Sequence, residues 1–181
     1  MTTTIDLDDL IRDCKKGSHK AQSTVYQKYY KTMYNTAFRI LKNADDACDV
    51  MQDAFLMAFR NLNQNIEKQT FEPWLRRIVI NKSIDFLRKN KQDAFMYEFP
   101  EIEEESDEEE ILLTNMKAEF VKKQIEKLHP RYNLILILHL IEGLDYEEIA
   151  LYFGITNNAV RVRYMRAKHK LIEQLKKEWK F

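Results

Sequence analysis

The stretch DYEEIALYFGITNNAVRVRYMRA, residues 145–167, lays out two helices across a tight turn. Asp145 with Glu148 three residues later has the spacing of a capping box, Asp standing in for the usual Ser or Thr, so a short helix starts here and runs through Phe153. Gly154 permits the left-handed turn, and Thr156 caps a second, longer helix. Ala150 is small where the helices cross, and Ile149, Ile155 and Val160 fill the wedge between them. Each special position thus serves a helix-turn-helix. Thr156, Asn157, Asn158, Arg161 and Arg163 stand early in the second helix, where side chains reach base edges or phosphates once such a helix enters a major groove. Arg166 and Lys168, farther along, are expected mainly to neutralise phosphates. A basic amphipathic helix open to solvent is the bland alternative.

Working outward, helical spacing continues on both sides. Leu113, Met116, Phe120 and Leu128 mark a helix that stops before Pro130, which opens another containing the apolar run Leu134–Leu138 and ending at Gly143. The amino-terminal block reads as four helices. Asp6 caps the first, with Leu7, Leu10, Ile11 and Cys14 on one face before Gly17; Ser18 caps the second, whose stripe is Ala21, Val25, Tyr29, Met33, Ala37, Ile40 and Leu41. A third starts from Asp45, burying Ala47, Val50, Met51, Ala54, Ala58 and Leu62 while Asp46, Asp49 and Asp53 share a solvent-facing arc. After the polar loop Asn61–Gln69, Thr70 caps a fourth, in which Pro73 sits in the first turn and Trp74, Leu75 and Ile78 point to the core. Asn81, Asp85 and Arg88 read as an internal polar brace. Three glycines and three prolines in 181 residues leave room for little besides helix, so the fold class is all-α.

The formal net charge of zero hides a division. Residues 1–92 hold 16 Lys/Arg against 11 Asp/Glu, residues 93–110 hold none against 10, and residues 111–181 hold 13 against 8. The chain is therefore expected as a domain over 1–92, an acidic linker over 93–110 with too few apolar residues for a core, and a domain over 111–181. Two basic blocks suit polyanionic partners. Cys14 and Cys48 read as small, partly buried helix residues, and neither they nor the histidines have metal-ligand spacing. No catalytic constellation, phosphate-cradling loop or cofactor motif emerges, so no cofactor is expected. The longest apolar run is too short to span a bilayer and no leader pattern precedes it, which points to a cytoplasmic protein.

Three segments carry a family resemblance. PRYNLILILHLIEGLDYEEIALYFGITNNAVRVRYMRAKHKL, residues 130–171, resembles the carboxy-terminal promoter-recognition domain of bacterial sigma factors. RILKNADDACDVMQDAFLMAF, residues 39–59, resembles their polymerase-binding helix, and FEPWLRRIVINKSIDFLRK, residues 71–89, the helix that reads the melted minus-ten element. The Trp74-Leu75 pair and Asn81…Asp85…Arg88 are similar to the small extracytoplasmic-function branch.

The resemblance implies a promoter-recognition subunit, not an enzyme, whose partners are the polymerase core and promoter DNA, duplex and melted, with an inhibitory anti-sigma factor also in prospect. It implies that Asp46, Asp49, Gln52, Asp53 and Leu56 dock on a coiled-coil element of the polymerase clamp. It implies too that Asn61, Asn63, Gln64, Asn65 and Gln69 read an extracted minus-ten base, while Arg76, Arg77 and Lys82 hold its backbone. The acidic linker would thread a basic polymerase channel. The recognition helix starts Asn157-Asn158-Ala159 where many relatives have Ser or Gly, so its base preference does not transfer. A self-sufficient dimeric helix-turn-helix regulator explains the last helix equally, but leaves the amino-terminal block without a role. An adaptor recruiting a basic partner through the acidic strip is a third reading.

Overall fold

Among the described residues of the computed structural model, 6–62, 71–90 and 118–178, the secondary structure is helical throughout. The loop amides Asn63, Gln64, Asn65 and Gln69, the cap Thr70, the acidic strip 93–110, and Leu113 and Met116 lie outside these residues. The chain divides into two compact units, Met1–Lys91 and Gln92–Phe181.

In the first unit, α1 (Leu7–Lys15) starts where the Asp6 carboxylate accepts the Asp8 amide at 3.3 Å, and α2 (His19–Leu41) where Ser18 Oγ accepts the Ala21 amide at 3.3 Å. Helix α3 spans Ala44–Asn61, starting a residue before the expected Asp45. Asn43 Oδ1 takes the amides of both Asp45 and Asp46, at 2.9 and 3.1 Å, so it is the Asn that sets the boundary. Helix α4 is Phe71–Lys89. Helices α2, α3 and α4 pack on one another and α1 lies against α2. The expected stripes of α2 and α3 are buried.

Three local expectations change. Phe55, left out of the α3 stripe, is 2% exposed, with its ring 4.8 Å from that of Tyr26. Trp74 stops at the core's edge, half-buried with its ring 5.9 Å from that of Phe71. Asn81, Asp85 and Arg88 are all exposed, because the α4 stripe Ile80, Ser83, Ile84 and Leu87 takes the inward positions instead. Asp85 and Arg88 do meet, at 3.7 Å, but as a surface pair of small energetic worth rather than an internal brace.

The second unit comprises α5 (Ala118–Lys127), α6 (Pro130–Leu136), α7 (Tyr146–Phe153) and α8 (Asn157–Glu178). Its core is Ile125, the Leu134–Leu138 run, Ile149, Val160, Ala167, Leu171 and Leu175. Side-chain amides tie the helices together: the buried Asn133 Nδ2 donates to the Ile125 carbonyl at 2.6 Å, and the half-buried Gln174 Nε2 to Gln124 Oε1 at 2.8 Å. Between α6 and α7 the helix widens into a π turn over Ile137–Ile141, which sequence periodicity did not reveal. His139 Nδ1 lies 2.7 Å from the Leu144 carbonyl, which fixes Nδ1 as the donor. Its ring packs on Tyr146 of α7 and Tyr164 of α8, at 4.6 and 4.8 Å, so the widened turn is joined to both helices of the motif.

Candidate nucleic-acid interface

The helix-turn-helix is built from caps. Asp145 accepts the Glu148 amide at 2.7 Å while the Glu148 carboxylate accepts the Asp145 amide at 3.1 Å, completing the capping box of α7. Gly154 ends that helix at φ +63°, and Thr156 Oγ1 accepts the Ala159 amide at 3.2 Å to start α8. Ile149 and Val160 are wholly buried, Ala150 nearly so, and Ile155 half-buried. These contacts hold the first turns of α8 outward.

Thr156, Asn157, Asn158 and Arg161 are exposed, and Arg163 is half-buried. Burial first, and the neighbouring positive charge of Arg166 second, push the Arg163 guanidinium below the usual arginine range. Arg166 and Lys168 depart from expectation. Each is only 8% exposed, because they flank Ala167 at the centre of the stripe by which α8 packs on its own unit. As placed they do not present free cations to a phosphate backbone.

In the amino-terminal unit, α3 carries Asp49, Gln52 and Asp53 on its exposed side, with Asp46 half-buried. Leu56 is 55% exposed beside them, and Met57, which the sequence reading passed over, is 45% exposed. Acids around an exposed apolar pair make a surface suited to a basic partner with an apolar contact. The Asn61 amide donates to the Met57 carbonyl at 3.0 Å, at the end of the same helix. On α4, Arg76 pairs with Glu72 at 3.0 Å and Arg77 is exposed. Lys82 reaches across to Asp53 at 3.3 Å, joining a residue expected to meet polymerase to one expected to meet DNA.

Comparison with known proteins follows these two surfaces. Residues 25–92 match the family described as Sigma-70 region 2, and residues 121–171 the family described as Sigma-70, region 4. The RNA polymerase sigma factor SigV of Bacillus subtilis is 32% identical over 170 residues, covering 91% of this chain and 97% of that protein. The chain belongs to the ECF branch of the sigma-70 family. The ECF RNA polymerase sigma factor SigE of Mycolicibacterium smegmatis is 31% identical over 149 residues, which are 80% of this sigma factor but 58% of that longer protein. The fold matches the sigma factor RpoE of Bartonella quintana, solved in complex with the anti-sigma factor NepR, with a TM-score of 0.51 and 20% identity over 87% of this chain and 98% of that one. In this sigma factor the region 2 match takes in α3 and α4, and the region 4 match contains the whole helix-turn-helix.

Among the described residues no group of three metal-ligating side chains assembles, and no helix is long and apolar enough to cross a membrane. One more side chain escaped the sequence reading. Val162 is 39% exposed on α8, between Arg161 and Arg163. The sequence reading assigned it no face, and the rotation of the helix sets it outward.

Proposed function

We propose that the chain binds RNA polymerase core through the α3 face and brings it to promoters that it reads at two elements. The carrying observation is the exposed start of α8, where Asn157, Asn158 and Arg161 project from a capped helix-turn-helix in a region 4 match. In this reading they contact bases of the minus-thirty-five duplex, with Arg163 beside them and Thr156 fixing the helix start. Arg166 and Lys168 receive no phosphate role. Asp46, Asp49, Gln52, Asp53 and Leu56 meet the polymerase, and Arg76, Arg77 and Lys82 hold the melted minus-ten strand, with the amides from Asn61 to Gln69 selecting its base. Residues 1–92 and 111–181 act as the two binding domains and 93–110 as the link. The chain contributes binding only, leaves the chemistry to polymerase, and works in the cytoplasm where chromosomal promoters are. An anti-sigma factor is the regulatory partner this family membership suggests.

Gel-shift and run-off transcription with purified core, on a promoter library, test the reading. Sequence-specific binding and initiation that both require core are expected. Binding to a palindrome without core would replace the proposal with a self-sufficient dimeric regulator.

A further inference from the structure

We infer that Val162 reads a thymine in the minus-thirty-five element, its isopropyl group packing on the thymine C5-methyl in the major groove. The inference rests on the assignment of α8 as the duplex-reading helix.

A single exposed apolar side chain says little by itself. The position of this one says more. Among residues 156–163 of the helix start, the exposed ones are Thr156, Asn157, Asn158, Arg161 and Val162. Arg161 and Val162 follow Asn158 by three and four residues, so Asn158 adjoins both on one exposed patch. Met165, half-buried, comes next along the same side. The patch therefore holds an amide, a guanidinium and a branched hydrocarbon side by side.

Helix stability does not account for the valine. A β-branched side chain loses rotamer freedom in a helix, and lysine, glutamine or alanine would serve better at a solvent-facing position. Core packing does not account for it either, since Val160 fills the wedge and is wholly buried while Val162 is not. Against duplex DNA the choice has a reason. Base edges in the major groove present hydrogen-bonding groups matched by Asn158 and Arg161, and one apolar group, the thymine methyl. Valine cannot hydrogen-bond to a base and rewards only that methyl. It also leaves the polar edge of a cytosine at that position desolvated without a partner, so the contact discriminates in both directions.

The test uses the sigma factor bound to core polymerase and a promoter selected from the library. Each thymine of the minus-thirty-five element, on either strand, is replaced singly by deoxyuridine, which removes the methyl and leaves the Watson–Crick edge unchanged. At one position the wild-type holoenzyme should lose about fourfold in affinity, the worth of burying one methyl-sized group. Val162→Ala should bind the thymine promoter about that much more weakly and be indifferent to deoxyuridine there. Because Val162 is outside the core and alanine is the better helix former, this variant should unfold at a midpoint no lower than that of wild type. Arg161→Ala is the control: it should change preference at a neighbouring base pair while the deoxyuridine effect persists. If no thymine responds to loss of its methyl, or Val162→Ala responds as strongly as wild type, the assignment to Val162 is overturned, while a changed preference in Arg161→Ala keeps the reading helix intact. If Arg161→Ala too leaves base preference untouched, the reading helix itself is wrong and the valine assignment goes with it.

Discussion

Cys14 closes the buried face of α1 with 3% of its surface exposed, and Cys48 lies half-buried on α3 within 3.2 Å of the Gln52 amide nitrogen. Burial, with a smaller contribution from the Asp13 carboxylate, pushes the Cys14 thiol up from its ordinary value of 9.0 to about 11. In the unfolded chain that thiol ionises near the ordinary value, so between the two values the unfolded state holds fewer protons than the folded one. Stability contributed by the buried thiol is thus fully present below pH 9 and drains away as pH rises toward 11, by at most about 1.4 kcal/mol per pH unit. Tyr29, raised by burial and then by Glu72, adds a loss of the same sign as pH rises above its ordinary value of 10.0. Urea titrations across pH 8–11 should show a shallower decline for Cys14→Ala than for wild type. Parallel declines would mean that this thiol is not the group responsible. Thiol alkylation of the native protein should label Cys48 well before Cys14, whose thiol is both buried and raised.

Helix ends show how far sequence reading reaches at the scale of elements. Two described helices finish on a left-handed residue, α2 at Lys42 with φ +58° and α7 at Gly154 with φ +63°. A side chain in that conformation costs about 1 kcal/mol relative to glycine, and no atom lies within 4 Å of where a Gly154 side chain would start, so strain alone sets the effect. Gly154→Ala should therefore lower stability by about 1 kcal/mol. Lys42→Gly should raise it by a smaller amount, because glycine also loosens the unfolded chain. Chemical denaturation measures both, and equal signs for the two variants would contradict the argument. The caps Asp6, Ser18, Asp145 and Thr156 were legible because a cap is a local hydrogen bond between near neighbours in sequence. The π turn at Ile137–Ile141 was not, since a mostly apolar stretch of five residues reads alike in either helix type. Rotation of a helix about its axis was equally hidden: it decides that Phe55 is in, that Arg166 and Lys168 are in, and that Val162 is out. The exposure of Thr156, Asn157 and Asn158 was readable because the turn before them fixes their direction, whereas from Val162 onward the helix is governed by tertiary packing.

For the molecule as a whole, the two units have separate cores, each with its own fully buried side chains: Val25, Met33, Ala54 and Leu75 in one, Ile135, Leu136, Ile149 and Leu171 in the other. Each unit therefore has a hydrophobic core of its own, as a domain requires. In the proposed division residues 93–110 are the link: they carry ten acids and no Lys or Arg, and 18 residues span about 60 Å at full extension. What such a link contributes is effective concentration. Once one element of a promoter is held, the other domain searches a small volume, and tethering of this kind multiplies affinity by about 10²–10⁴ without a new contact. A protease site introduced at Ser106 separates these roles in the intact protein. After cutting, the far-ultraviolet helical signal and the unfolding of each unit should persist, whereas holoenzyme affinity for a promoter bearing both elements should fall toward the level seen when one element is mutated. Loss of helical signal on cutting would show that the cores depend on each other; unchanged promoter affinity would show that polymerase alone holds the two domains in place and that the tether adds nothing.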